Sequence, residues 1–468
     1  MKKGNGGFAF QGGSALRIGL IALCLAATLC VSGCATSEAM ADGKGFGEVM
    51  QAMKNDLFGS GLQSCDRLEL MLPVREGFTP IENKTAYASL KDTTMKEAYQ
   101  KIEESIYQIS SERADNGCFL LRYTRLPSEL EFDDIYIVKE AVLTDHPEAF
   151  WVMGSYDIRN NFHDGNYLVL YSQYSYEEIT AFYNDINTTT ERILAQIPDN
   201  ADELTRETVI HDALVNSVSY DFEAAEADDS SQDAFNIYGA LVKQKAVCSG
   251  YACSAKMLLN RVGIECRTVV GMSKNSGHMW NQVKINEKWY NLDVTWDDSA
   301  TESDVLYSRY SYFNLTDERL NRNHKTGKNI SEMECEYTED DVYVTSELYN
   351  FDLEVCTSTD ANYYAMHALT IDAMNDAAVT LITNKMIETA QAKGELLYIL
   401  FDESESAEKA ETWLSKNTGG QYSALGRSLS KANQSGKISR IKTCNLVRMS
   451  SGEDDVWPNL YAVRLIYA

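Results

Sequence analysis

Three residues have the types and spacing of a nucleophilic site: Cys248, His278 thirty residues on, and Asp293 fifteen beyond that. A thiol can attack a carbonyl carbon. An imidazole can take the thiol proton and return it to a leaving group. A carboxylate can hold the imidazole in the working orientation. Each residue alone has an ordinary explanation: a buried small side chain, a hydrogen-bonded ring, a turn former. The three together, in this order, point to thiol-dependent acyl transfer.

The neighbouring residues predict the elements that would carry them. From Cys248 to Leu259 the chain reads small and then apolar, the pattern of a buried helix that starts at the thiol. The unpaired N–H groups and macrodipole of a helix start favour thiolate over thiol. The Cys248 N–H can also donate to an oxyanion. His278-Met-Trp-Asn-Gln-Val-Lys-Ile285 alternates as a strand does, Asn286-Glu287 is a turn, and Lys288-Trp-Tyr-Asn-Leu292 returns. This hairpin brings His278 and Asp293 to the same open end. The expected arrangement has the carboxylate on Nδ1–H and Nε2 facing the sulfur. Residues 263–271 predict a strand beside the hairpin, and Lys274-Asn-Ser-Gly277 a turn next to His278.

These blocks resemble the transglutaminase-like superfamily, in its bacterial branch of cysteine peptidases. The resemblance lies in Ala246-Val-Cys248-Ser-Gly250-Tyr251-Ala252, in His278-Met-Trp280-Asn281 and in Trp289-Tyr-Asn-Leu-Asp293-Val-Thr-Trp296. It extends upstream to Ile210-His-Asp212 and Tyr220-Asp221, and downstream to Tyr312-Phe-Asn314 and His324. Ala246 stands where the family often has glycine. The resemblance implies a papain-like, transglutaminase-like α+β core: a Cys-bearing helix packed on an antiparallel sheet that carries His and Asp. It implies a catalytic triad of Cys248, His278 and Asp293, with hydrolysis favoured over cross-linking.

The rest of the 468-residue chain gives a setting for that core. Residues 1–33 carry Lys2, Lys3 and Arg17, then an apolar run, and read as a secretory signal too short to span a membrane comfortably. The run ends Val31-Ser-Gly-Cys34, which resembles a bacterial lipobox and implies lipidation at Cys34. The protein is therefore expected outside the cytoplasmic membrane, lipid-anchored at a bacterial cell surface, with 34–47 as a tether. Without the three signal cations, 39 Lys and Arg face 69 Asp and Glu, a formal charge of −30. That excess argues against binding nucleic acid through general electrostatics.

Residues 48–198 read as an N-terminal α+β region, 199–335 as the catalytic domain and 345–468 as a C-terminal α+β domain. In the first, 93–111 predicts a helix capped by Asp92, 133–143 a strand, 166–174 a strand and 177–196 a helix. His146-Pro-Glu reads as a helix-start cap, with Phe150 and Trp151 as core. Residues 202–217 form another expected helix, and His324 falls in a polar loop at the edge of the site. In the last region 363–371 predicts a strand, 372–393, 404–416 and 421–432 helices, 396–401 a strand, and 438–449 with 460–467 a closing hairpin. Of eleven cysteines, eight follow the lipobox, scattered and without a CxxC pair; setting Cys248 aside leaves an odd seven, so one or two bridges rather than a disulfide framework fit the count, and no His or Cys spacing forms a zinc pattern. No cofactor is implied. The expected partner is a protein or peptide amide. The alternatives are a cross-linking transglutaminase and a non-catalytic surface module.

Overall fold

The computed structural model describes residues 71–468 apart from 75–82, 115, 162–164, 228–232, 275, 299–306, 308, 331–334, 338–341, 345–348, 419 and 450–454. The expected signal at 1–33, the expected lipidation site Cys34 and the expected tether at 34–47 lie outside the described residues. No helix among the described residues is long and apolar enough to cross a membrane. The architecture is α+β, as expected.

The N-terminal region is an antiparallel sheet with helices. Gly165–Ser172 is its centre and pairs with Phe119–Leu121, Thr124–Arg125 and Tyr156–Asn161. Helix α1 (Thr93–Ile106) starts at Asp92, whose carboxylate accepts from the Met95 N–H. The expected helix to residue 111 is too long. The chain leaves it at Tyr107, and Ile109 joins a strand opposite Leu72 and Leu121.

The expected strand at 133–143 is instead helix α2 (Phe132–Asp145). Its β-branched run suggested a strand. The buried Ile135, Val138, Ala141, Val142 and Asp145 follow a helical stripe, and packing on that stripe outweighs propensity. His146 therefore closes a helix rather than opening one. Its ring lies 2.8 Å from Glu148 and 3.2 Å from Glu103, and their carboxylates overcome burial to raise its pKa to about 9. Helix α3 (Tyr176–Leu194) opens with a capping box between Ser175 and Glu178.

Helix α4 (Glu203–Ser217), capped by Asp202, leads to the nucleophile-bearing helix α5 (Cys248–Arg261). The sheet beneath α5 has four strands: β1 (Cys266–Ser273), β2 (Ser276–Ile285), β3 (Lys288–Leu292) and β4 (His324–Thr326), in the order β3-β2-β1-β4. All neighbours are antiparallel. Asn286 and Glu287 join β2 to β3 with φ of 49° and 63°, the left-handed pair of a two-residue hairpin. A Glu203 carboxylate 2.7 Å from the Asn286 N–H ties this turn to α4.

One face of this sheet presents Cys266, Val283, Ile285, Tyr290 and Leu292 to the hydrophobic cluster that also contains α5 residues Tyr251, Ala255 and Leu258 and the N-terminal core. Val269 and Trp280 lie on the other face, in a cluster shared with the C-terminal region. That region holds strands β5 (Leu369–Ile371), β6 (Leu396–Phe401), β7 (Ile441–Arg448) and β8 (Leu460–Tyr467), ordered β5-β6-β8-β7. Helices α6 (Asp376–Gln391), α7 (Ala407–Ser415) and α8 (Ala424–Gln434) supply its own core. Leu397, Ile399 and Phe401 point into that core, while Tyr398 and Leu400 between them meet the central region. The period of two lets one strand serve both layers. The strand expected at 363–371 is shorter: a helical turn, Tyr363–His367, capped by the Asn362 side chain, precedes β5.

A buried carboxyl on α4 makes the fold pH-sensitive. Glu207 is fully buried and accepts from the Asn314 side chain at 2.8 Å through one oxygen, while the other has no partner. Burial raises its pKa from the ordinary 4.5 to about 8, despite that bond. The folded protein thus holds a proton that the unfolded chain releases above pH 4.5, so this group's contribution to stability falls between about pH 4.5 and 8. Glu207→Gln should flatten that fall. Between pH 5 and pH 8 the variant should gain about 2 kcal/mol or more on the native protein, read from urea unfolding at the two pH values. A parallel pH dependence in both proteins would show that Glu207 ionises normally.

Candidate active site

The backbone before Cys248 is shaped by close contacts. A π-helical turn, Gly239–Lys243, ends at Gln244 in the left-handed region, and Lys245–Ala246 then pairs in parallel with Ser219–Tyr220. The Val247 N–H bonds to the Ala234 carbonyl at 2.9 Å, which fixes where α5 begins. Gly250 packs so tightly that a Cβ would sit 2.7 Å from the Ala234 oxygen and 2.8 Å from the Ala246 methyl. A glycine at this place lets the first turn of the nucleophile helix press onto the preceding loop. Cys248 is half-buried, with the first-turn N–H groups of α5 beside it. Burial pushes the Cys253 thiol, one turn further along, up to about 11, and pushes the Cys266 thiol up as well.

His278 lies opposite Gly271 on β1. Its Nε2 is 2.7 Å from Oδ2 of Asp293, and the Cys248 thiol is a further hydrogen-bond partner of the ring. The expectation for the ring is therefore reversed: Nε2 faces the carboxylate and Nδ1 is left for the sulfur. Register explains this. Asn281 pairs with Leu292, so Asp293 continues opposite Trp280 and reaches His278 on the diagonal, at the far end of the ring. Asp293 ends β3 and caps a helical turn, Val294–Asp297, with Oδ1 accepting from the Trp296 N–H at 3.1 Å.

His278 and Asp293 are buried, at 7 % and 1 % exposure. Burial alone would lower the pKa of His278, but the charge and hydrogen bond of Asp293, with Cys248, more than reverse it, to about 10. Burial would likewise raise Asp293, but His278 and His324 hold it well below the usual carboxylate range. The pair favours an imidazolium against a carboxylate, with the sulfur on the other side of the ring. Trp280 stacks 6.0 Å from His278, and Trp296 lies 6.3 Å away under the Lys274 ammonium.

His324 departs from the expected polar loop. It starts β4 opposite Ser273, is buried, and sets its Nε2 3.1 Å from the same Asp293 oxygen. Potential ligand atoms of His278, Asp293 and His324 thus lie within 4.8 Å of one another, a grouping that no sequence spacing reveals. The 2.7 and 3.1 Å separations are those of shared protons, and an ion would have to open both bonds.

A second His–Asp pair underlies the first. His211 on α4 contacts Asp297 and Asp212, each at 3.1 Å, and Asp297 accepts from the Tyr312 N–H at 2.7 Å. Those carboxylates overcome burial to raise His211 to about 9, and burial raises Asp297 to about 7. Asp297 stands four residues after Asp293, so that second carboxylate was the available sequence signal for this support.

Residues 188–294 match the model of the transglutaminase-like superfamily. The chain is similar to the kyphoscoliosis peptidase of Mus musculus, at 30% identity over 128 residues, 24% of this chain and 19% of that protein. The Homo sapiens kyphoscoliosis peptidase is 29% identical over 122 residues, 24% of this chain and 18% of that protein. The chain thus spans about a fifth of the length of the curated relatives it matches. A solved TGase structure is similar at 17% identity and a TM-score of 0.23, over 38% of this chain and 52% of that one.

Proposed function

We propose that this site catalyses thiol-dependent acyl transfer from protein or peptide amides, with water as the final acceptor. The observation that carries the reading is the continuous arrangement from the Cys248 thiol through the His278 ring to the Asp293 carboxylate, 2.7 Å from Nε2. The Cys248 proton passes to Nδ1 of His278, and the resulting thiolate attacks the amide carbon. The imidazolium gives that proton to the departing nitrogen, leaving a thioester on Cys248. Water, deprotonated by the same Nδ1, then releases the acid. Asp293 stays ionised throughout and keeps Nε2 protonated. The Cys248 N–H at the start of α5 donates to the oxyanion. The matched relatives are named peptidases, which agrees with water as acceptor.

An amine in place of water would give cross-linking through the same thioester. The deciding experiment supplies a glutamine-bearing protein and a labelled primary amine to the purified protein. Cleavage or deamidation without label is the expected result. Stable, Cys248-dependent incorporation of the amine would overturn the hydrolytic reading.

A further inference from the structure

Asp293 serves two imidazoles. Oδ2 lies 2.7 Å from Nε2 of His278 and 3.1 Å from Nε2 of His324, while Oδ1 is occupied by the Trp296 N–H. His324 is 3 % exposed, and its ring centroid lies 5.2 Å from those of Trp280 and Trp296. Its other nitrogen, Nδ1, is 2.6 Å from Oδ1 of Asn323, and Nδ2 of that amide is 2.8 Å from the Tyr312 hydroxyl.

Counting protons settles what this chain can be. A carboxylate only accepts, so both nitrogens facing Asp293 must carry hydrogen. A His324 ring with that single proton presents a bare Nδ1. The Asn323 amide must then be turned over from that placement, so that its NH2 donates to Nδ1 and its carbonyl accepts the Tyr312 O–H. The two ends of an amide have the same shape, so their partners assign them. The opposite orientation would need a second imidazolium beside His278. Burial, His278 and Lys274 all disfavour a charge on His324, and only Asp293 favours one.

We infer that His324 is a positioning residue: a neutral ring that donates through Nε2 and locks the Asp293 carboxylate in the orientation His278 requires, in a relay running Tyr312, Asn323, His324, Asp293, His278. The inference rests on the reading of Cys248, His278 and Asp293 given above. Two donors on one oxygen and a backbone N–H on the other leave the carboxylate no free rotation. Because His324 brings a proton but no charge, Asp293 keeps its full negative charge for the His278 imidazolium.

Two measurements on the full chain test this. The first is the 15N–1H correlation pattern of 15N-histidine-labelled protein, in which six histidines must be assigned and His324 is identified by its loss in His324→Gln. A neutral Nε2–H ring from pH 6 to 8 is expected. A doubly protonated ring, or one protonated at Nδ1, would overturn the inference. The second is the rate of Cys248 alkylation by iodoacetamide against pH, in the native protein and in His278→Ala, His324→Leu and His324→Gln. His324→Leu should slow the neutral-pH reaction about tenfold and move its pH profile, as loss of an aligned base does. His324→Gln, whose amide N–H can still reach Asp293, should recover most of the rate. Equal losses in both variants would reduce His324 to a packing residue, and no change in either would remove its role. A native profile indifferent to His278→Ala would instead overturn the reading of the site, and the positioning role with it. The resonance measurement involves no reactivity, so it decides the His324 proton in either case.

Discussion

Cys248→Ala is expected to lower amide turnover by at least about 10³-fold, since a nucleophile that forms a covalent intermediate has no substitute in the site. The two thiols nearest along the helix and sheet are poor substitutes. Cys253 is raised to about 11 by burial, and Cys266 is enclosed between α5 and the sheet. The substitution should cost less than about 1 kcal/mol of stability, because Cys248 is half-buried at a helix start, where alanine fits the backbone. Unfolding in urea, measured beside activity, separates the two effects. Cys253→Ala serves as the control that retains turnover. Residual activity above a tenth of the native value in Cys248→Ala would end the thiol mechanism.

The second large effect lies far along the same helix. Lys256 is eight residues after Cys248 and fully buried; its ammonium donates to the Thr144 carbonyl and lies 3.9 Å from the Asp145 carboxylate. Asp145 is equally buried and accepts from the Ala86 N–H at 3.0 Å, the Tyr87 N–H at 2.9 Å and the Tyr99 hydroxyl at 3.0 Å. Asp145→Ala would strand a buried ammonium and orphan two backbone donors. It should cost about 3–5 kcal/mol, as breaking one side of a buried ion pair does. Pairing Asp145→Ala with Lys256→Met should recover part of that loss, because the unpaired charge is removed. Urea midpoints of the single and double variants give the comparison. A loss below 1 kcal/mol for Asp145→Ala would mean that water reaches Lys256. The pair also joins the N-terminal region to the nucleophile helix.

The legible parts of the sequence were those set by local rules. Asp92 capping α1, the Asn286-Glu287 turn, and the alternation from His278 to Ile285 each depend on neighbours within a few residues. Asp133 to Leu143 reads as a strand in sequence because Ile135, Ile137 and Val138 favour one, and only packing on α1 shows which face is buried. The turned ring of His278 depends on a diagonal across β2 and β3 that only the register shows. His324 comes 31 residues after Asp293 and reaches it because β4 pairs with β1, a long-range contact without a local signature. Lys256, set in an apolar run, gave no hint of the carboxylate more than a hundred residues earlier that receives it.

The pairing of β1, β2 and β3 carries a constraint on how such a chain can evolve. β2 matches β1 without a shift from Ser276 opposite Ser273 to Val283 opposite Cys266, and matches β3 from Asn281 opposite Leu292 to Ile285 opposite Lys288. Side chains alternate faces along each strand, so length between 266 and 293 works as a parity. One inserted codon within β2 would hand the place of Trp280 to a neighbour of the opposite face and turn His278 away from Asp293. Two would restore the faces but move the ring a full repeat along the strand. A one-residue insertion or deletion in this hairpin is therefore expected to cost the site, whereas substitutions away from His278, Trp280 and Asp293 keep the register. Changes in substrate range must come through side-chain replacement here, or through length changes in the segments that lead into and out of it.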